Sequence, residues 1–288
     1  MATNPLGVHA LVWVGDTSPA GVTTAVGRTA EAGYDLLEFS LHDSLNLDVV
    51  AARDQLEAAG LQVACSRGLA FDADVSSEDP EVVERGAVLL QDSLRVTREL
   101  GGTHFTGALY SALGKYGHQL SPAGRANVVA VLKNLAAEAG GHGMTLGLEI
   151  CNRYETNVIN TAADALRLAD DIGADNVLIH LDTYHMNIEE SDLVRPVYEV
   201  GDRLGYVHIG ENHRGYLGSG HLDFGAFFHA LADIGYTGPI TFESFSSAVV
   251  AQGLSNDLAI WRNLWTDGMD LATHARVYME TMLSAARS

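Results

Sequence analysis

The chain has 288 residues, 47% hydrophobic and 19% charged, with 30 Gly and 6 Pro; that balance suits a packed globular protein and excludes a disordered, collagenous or disulfide-scaffolded one. Asp and Glu outnumber Lys and Arg by 37 to 17, a formal net charge of −20, which excludes a nucleic-acid partner because such partners need a basic footprint. No apolar run approaches the roughly 20 residues of a membrane span, residues 1–7 lack a basic-then-apolar leader pattern, and two cysteines, Cys65 and Cys151, cannot build a disulfide framework, so a reduced, cytoplasmic setting is expected.

Short apolar runs alternate with amphipathic stretches along the whole chain. The predicted strands lie at 8–14, 35–39, 61–65, 103–109, 144–150, 177–181, 206–209 and 240–242, each bounded by Gly or polar residues and several rich in β-branched or aromatic side chains. Between them, apolar positions at three- and four-residue spacing predict helices over 20–32, 48–59, 81–100, 123–139, 162–172, 193–200 and 224–234, with a last one over much of 270–286. Asp79 before Pro80, Ser121 before Pro122, and Thr161 read as helix N-caps; Gly33, Gly60, Gly101, Gly173 and Gly235 stand where helices stop. Strand followed by helix eight times, with no linker, predicts one α/β domain over residues 1–288, a single (β/α)8 TIM barrel whose active site lies at the C-terminal ends of the strands. An open doubly wound sheet would require a Gly-rich phosphate loop after the first strand, and Val14-Gly15-Asp16-Thr17 is not one.

Glu149, Asp182, His208 and Glu243 stand at or next to the ends of predicted strands five to eight, spaced 33, 26 and 35 residues apart. A barrel uses about 31 residues per strand–helix unit, so the four recur once per unit and converge on one rim. Three carboxylates and an imidazole there would repel one another without a cation. The oxygen-rich set with one nitrogen suits Mn2+ or a similar octahedral ion with open positions, better than Zn2+. Glu155, His185 and Arg214 lie in the polar segments that follow and offer donors and acceptors to a hydroxylated ligand over the metal. Glu38 reads as a hydrogen-bond partner to a ligand or an arginine. His9 and Trp13 on strand one read as core or pocket wall, His104 and His180 as core or supporting histidines, and Cys65 and Cys151 as pocket-lining thiols. No Gly-x-Ser-x-Gly elbow, P-loop or Cys-x-x-Cys occurs.

The stretches Leu148-Glu149-Ile150-Cys151-Asn152-Arg153-Tyr154-Glu155 and His180-Leu181-Asp182-Thr183-Tyr184-His185 resemble the ketose 3-epimerases, among them the D-tagatose, D-allulose (D-psicose) and L-ribulose 3-epimerases. Val207-His208-Ile209-Gly210-Glu211-Asn212-His213-Arg214 and Phe242-Glu243-Ser244 agree in order and spacing, and the likeness runs the length of the chain. It places the chain in the wider xylose-isomerase-like superfamily. The resemblance implies that Glu149, Asp182, His208 and Glu243 hold Mn2+, with Co2+ or Mg2+ as alternatives. Glu149 and Glu243 would act as the acid/base pair. Glu155, His185 and Arg214 would hold O1, O2 and neighbouring hydroxyls of a free ketose. The implied reaction is reversible C3 epimerisation through a metal-stabilised enediolate, by a homodimer or homotetramer. Pocket-wall positions His9, Ser66 and Gly107 are expected to set the fit beyond the reacting carbon. Ser66-Arg67-Gly68-Leu69 departs from the resemblance, with an arginine where a small or apolar residue is expected. An aldose–ketose isomerase, an inosose dehydratase and a non-catalytic sugar-binding barrel are the rival readings; an apurinic endonuclease is disfavoured by the −20 charge.

Overall fold

The computed structural model describes residues 4–42 and 47–288, so Met1–Thr3 of the N-terminal segment considered above lie outside it. Eight parallel strands close a barrel in chain order: β1 (Leu6–His9), β2 (Leu36–Ser40), β3 (Gln62–Ser66), β4 (His104–Gly107), β5 (Thr145–Glu149), β6 (Val177–Asp182), β7 (Leu204–Ile209) and β8 (Ile240–Phe242). Closure is made by β1 on β8, where Val8 pairs with Phe242. The fold is the predicted (β/α)8 TIM barrel. Strands four to seven of the prediction differ from the structure mostly by one or two residues at their ends.

The first strand is the correction. Its apolar run was expected to be extended through residue 14, but the strand stops at His9 and Ala10–Val12 form a 3-10 turn. The side chain of His9 accepts from Leu11 N and caps that turn. The run is apolar because the turn is buried, not because it is a strand.

The helices are α1 (Pro19–Glu31), α2 (Val49–Ala59), α3 (Pro80–Glu99), α4 (Pro122–Gly141), α5 (Ala162–Ile172), α6 (Thr183–Glu189), α7 (Arg195–Val200), α8 (Phe224–Asp233), α9 (Gln252–Asp257) and α10 (Gly268–Ala286). The caps read from sequence are present: Asp79 accepts from Glu81 N, Ser121 from Gly124 N, and Thr161 forms a capping box with Asp164. Two short helices were not expected, α6 directly after β6 and α9 after β8. Helices α5 and α8 bury one apolar face, Leu168 and Ile172 on the first and Phe227, Phe228 and Leu231 on the second, and a continuous core follows between helices and strands.

Gly107, the last residue of β4, has φ +110, and a Cβ there would lie 2.5 Å from the carbonyl oxygen of Arg67. The close approach ties the end of β4 to the loop after β3, where Arg67 N donates to Thr106 O at 3.0 Å. Gly107→Ala is therefore expected to destabilise the fold by about 2–4 kcal/mol, from backbone strain and overpacking together. Equilibrium urea unfolding checks it; an unchanged midpoint would contradict the close approach.

Candidate active site

The four rim residues named from sequence meet. Glu149 closes β5, Asp182 closes β6, His208 is the next-to-last residue of β7, and Glu243 directly follows β8. Pairing of β6 with β7 sets Asp182 beside His208. His208 Nδ1 lies 3.2 Å from Glu149 Oε1, 3.5 Å from Asp182 Oδ2 and 3.5 Å from Glu243 Oε1. All four side chains are buried.

Local structure explains how Asp182 is held. Its Oδ1 caps α6, accepting from Tyr184 N at 2.6 Å and His185 N at 3.2 Å. Its Oδ2 is buried and has no hydrogen-bond partner. A carboxylate with one oxygen fixed by a helix N-terminus and the other left bare toward an imidazole and two glutamates is suited to a cation. His208 is fixed from its far side. Its Nε2 is 2.9 Å from Glu38 Oε2, which also accepts from Tyr206 OH at 2.8 Å, and Tyr206 OH is 2.7 Å from Thr241 Oγ1. A carboxylate on Nε2 turns Nδ1 toward the three acids, the arrangement by which a supporting carboxylate orients a metal-binding histidine.

The electrostatics agree. Burial opposes a charge on His208, but Glu38 and Glu243 outweigh it and hold its pKa well above the ordinary value. Positive charge, as a proton or a metal ion, is thus drawn to Nδ1. Burial likewise pushes the Asp182 carboxyl up, but His185 and His208 reverse this and hold it below the usual range. The two glutamates are driven apart. Burial pushes Glu243 up to about 8, with the neighbouring Asp182 and Glu149 charges assisting against His208 and Arg214. Glu149 is also pushed up by burial, but His180 and His208 hold it below its ordinary value. The residues present fit a divalent cation: around one imidazole nitrogen stand three carboxylate oxygens, one of them the orphaned Asp182 Oδ2, all on buried side chains, with hard oxygen donors in the majority.

Glu155, His185 and Arg214 line the same cavity as Glu149 and Glu243. Asn152 organises the first two: its Nδ2 donates to Glu155 Oε1 at 2.9 Å, and its backbone N donates to His185 Nδ1 at 3.1 Å. Accepting at Nδ1 leaves the His185 ring proton on Nε2, which lies 4.0 Å from Glu155 Oε2 and from Asp182 Oδ2. Arg214 has φ +56 and rests between the rings of Tyr184 and Phe245, 4.0 and 4.3 Å from their centroids, with Nη2 3.4 Å from Glu243 Oε2. Ser244 Oγ donates to the Arg214 carbonyl oxygen and so holds that strained turn.

Of the pocket-wall candidates, His9, Ser66 and Gly107 line the cavity and Trp13 does not. Because β1 ends at His9, Trp13 falls past the turn; its indole N–H donates to Thr29 Oγ1 on α1 and it lines a separate cleft with Trp265. Cys151 lines the cavity, buried and with its pKa raised by burial, and Cys65 is buried away from it. His180 stands edge-on to His208 at 4.1 Å between ring centroids, and burial lowers its pKa to about 4. Phe245, Leu254 and Leu258, which also line the cavity, had no sequence signal beyond being apolar residues after the last strand.

Fold and rim together define a xylose isomerase-like TIM barrel, and the family profile of that description matches residues 26–270. The chain is 48% identical to a ketose 3-epimerase of Arthrobacter globiformis over 98% of both chains, and 49% identical to an L-ribulose 3-epimerase of Methylomonas sp. (strain DH-1) over 95% of this chain and 96% of that one. It superposes with a TM-score of 0.95 on the crystal structure of a Methylomonas sp. D-allulose 3-epimerase in complex with D-allulose, 48% identical, with 98% of each chain covered. The chain belongs to the ketose 3-epimerases, carbohydrate isomerases of the xylose-isomerase-like superfamily.

Proposed function

We propose that the protein catalyses reversible C3 epimerisation of a free ketose, of the D-fructose/D-allulose, D-tagatose/D-sorbose or ribulose/xylulose type, with Mn2+ held by Glu149, Asp182, His208 and Glu243. The observation that carries this reading is the convergence of three carboxylates on His208 Nδ1 within 3.5 Å. The likeness to a D-allulose 3-epimerase crystallised with D-allulose supports the substrate class. When bound, the ion supplies Lewis-acid stabilisation of the negative charge that develops on the ketose oxygen.

The chain's own residues move the proton. One glutamate carboxylate takes the proton from C3; the C–H electron pair moves into the C2–C3 bond, and charge passes to O2. The other glutamate gives a proton to C3 from the opposite face, and the electron pair returns to form the new C–H bond. In the reverse direction the roles exchange. His185 Nε2–H and the Arg214 guanidinium donate to substrate oxygens, and Glu155 accepts from a hydroxyl.

This reading treats residues 1–288 as one barrel domain working as a homodimer or homotetramer. Two free, buried thiols suit a reducing cytoplasm, and no helix among the described residues is long and apolar enough to cross a membrane.

Incubation of the Mn2+-loaded protein with D-fructose, D-tagatose and L-ribulose in D2O, followed by NMR, tests the proposal. The expected result is the C3 epimer carrying deuterium at C3. An aldose product would favour an aldose–ketose isomerase instead. Tight binding with no exchange at C3 on any of these sugars would mark a binding protein and overturn the proposal.

A further inference from the structure

Arg214 is the cation that the proposed function sets against the sugar, and its backbone is the costly part of its placement. Its φ of +56 lies in the left-handed region, which a residue with a side chain holds only where its surroundings force it. Its guanidinium is slotted between the rings of Tyr184 and Phe245, and Nη2 lies 3.4 Å from His185 Nε2 and 3.4 Å from Glu243 Oε2. Arg214 Nη2 and His185 Nε2 are both donors, so an oxygen that accepts from both fixes where the guanidinium must stand. Ser244 Oγ holds the Arg214 carbonyl oxygen from β8's side. The other restraint is Glu211, fully buried in the loop after β7. Its carbonyl oxygen accepts from Arg214 N at 2.8 Å and closes the turn that contains the strained residue.

The Glu211 carboxylate gathers the rest of the loop. Its Oε1 accepts from Asn212 N at 3.2 Å and Leu222 N at 3.4 Å, and its Oε2 from Gly218 N at 2.9 Å. Gly220 passes so close that a Cβ there would lie 2.2 Å from Oε1. The acid is therefore spent on backbone N–H groups on both sides of Arg214, one before it and two after it, and charge-assisted bonds of this kind are the strong ones. Glu211 itself stands outside the cavity lining, whereas Arg214 is part of it. We propose that Glu211 is a positioning residue of the ketose 3-epimerase site: its carboxylate pins the loop over residues 211–222 in the path that keeps Arg214 in its left-handed turn, and so aims the guanidinium at the substrate oxygen it shares with His185. The inference rests on the epimerase reading given above and adds what holds that reading's cation in place.

The test is a double-mutant cycle of Glu211→Gln and Arg214→Met in the Mn2+-loaded protein, with a crystal structure of Glu211→Gln. Kinetics are read on whichever of D-fructose, D-tagatose and L-ribulose the unaltered protein turns over fastest. Glutamine keeps the volume but offers one oxygen where two are used. Glu211→Gln is expected to raise KM about 10- to 100-fold with kcat within about 3-fold, the scale of a group displaced by about 1 Å, and its structure to show Arg214 out of the slot between Tyr184 and Phe245. In the Arg214→Met background the same change is expected to alter kcat/KM by less than about 3-fold, because the residue it positions is gone. An unchanged KM, equal losses in both backgrounds, or an Arg214 that keeps its φ and its slot in the variant overturns the inference while leaving the epimerase reading intact. No turnover of any of the three sugars by the unaltered protein overturns both. If Glu211→Gln does not fold, Glu211→Asp takes its place in the cycle: it keeps the charge but withdraws the carboxylate by one methylene, and an unchanged KM or equal losses in both backgrounds again overturn the inference.

Discussion

Glu149→Gln and Glu243→Gln should each lower kcat by about 10^3- to 10^4-fold, the scale of a general acid or base removed from a proton-transfer step. Both side chains are buried, and glutamine conserves their volume, so the fold should survive and the loss should fall on the chemistry. Their environments predict more than a common loss. With two bases on opposite faces of C3, each variant retains the one that faces one epimer. Glu243→Gln should therefore wash deuterium into one epimer of the substrate pair from D2O without converting it, and Glu149→Gln should do so with the other. Each residue also stands among the proposed metal ligands, so metal content is measured on the same samples. A variant that keeps stoichiometric metal and still fails to turn over has lost a base; one that loses metal in proportion to activity has lost a ligand. Near-normal turnover by either variant would sink the two-base scheme.

Removal of divalent ions by a chelator should abolish turnover and lower the melting temperature, and Mn2+ should restore both. Three carboxylates, one of them through the orphaned Asp182 Oδ2, crowd around His208 Nδ1, and a ligand that binds only the folded state at about 100 times its Kd adds about 2.7 kcal/mol. For a domain of this size that corresponds to a rise of roughly 4–5 °C. A melting temperature indifferent to chelator and to Mn2+ would mean that the cluster is satisfied by protons alone, and the metal assignment would fail with it.

The barrel was legible because its punctuation is local. Glycines such as Gly60 and Gly173, both with positive φ, end helices wherever they stand, and a Pro after Asp79 or Ser121 starts them. The rim quartet was legible because barrel periodicity converts residue spacing into a shared edge. Errors arose where one residue serves two purposes or where burial mimics a period. Asp182 was read as a ligand alone, so its second role as the N-cap that starts α6 was missed. Residues 10–14 were read as strand because they are apolar, although burial in a 3-10 turn demands the same composition, and Trp13 was carried toward the cavity by that error. Phe245, Leu254 and Leu258 reach the cavity only through the path of the chain after β8, and residue type alone does not show such a path. For Arg67 the sequence showed the departure, while its hydrogen bond to the Leu41 carbonyl oxygen became visible only in the structure.

The hydrogen bond from His208 to Glu38 has a consequence for how the molecule assembles. Glu38 lies on β2 and His208 on β7, elements that meet across the interior only when the sheet is closed, and Tyr206 links the same carboxylate to Thr241 on β8. A chain that has emerged only as far as β7 already contains three of the four rim residues but lacks the strand that shuts the cylinder and carries the fourth. On the proposed function, capture of the ion would thus be coupled to the last step of ring closure. Metal uptake during refolding should therefore appear late, as a signal of topological completion, and half-barrel fragments should acquire it only when recombined.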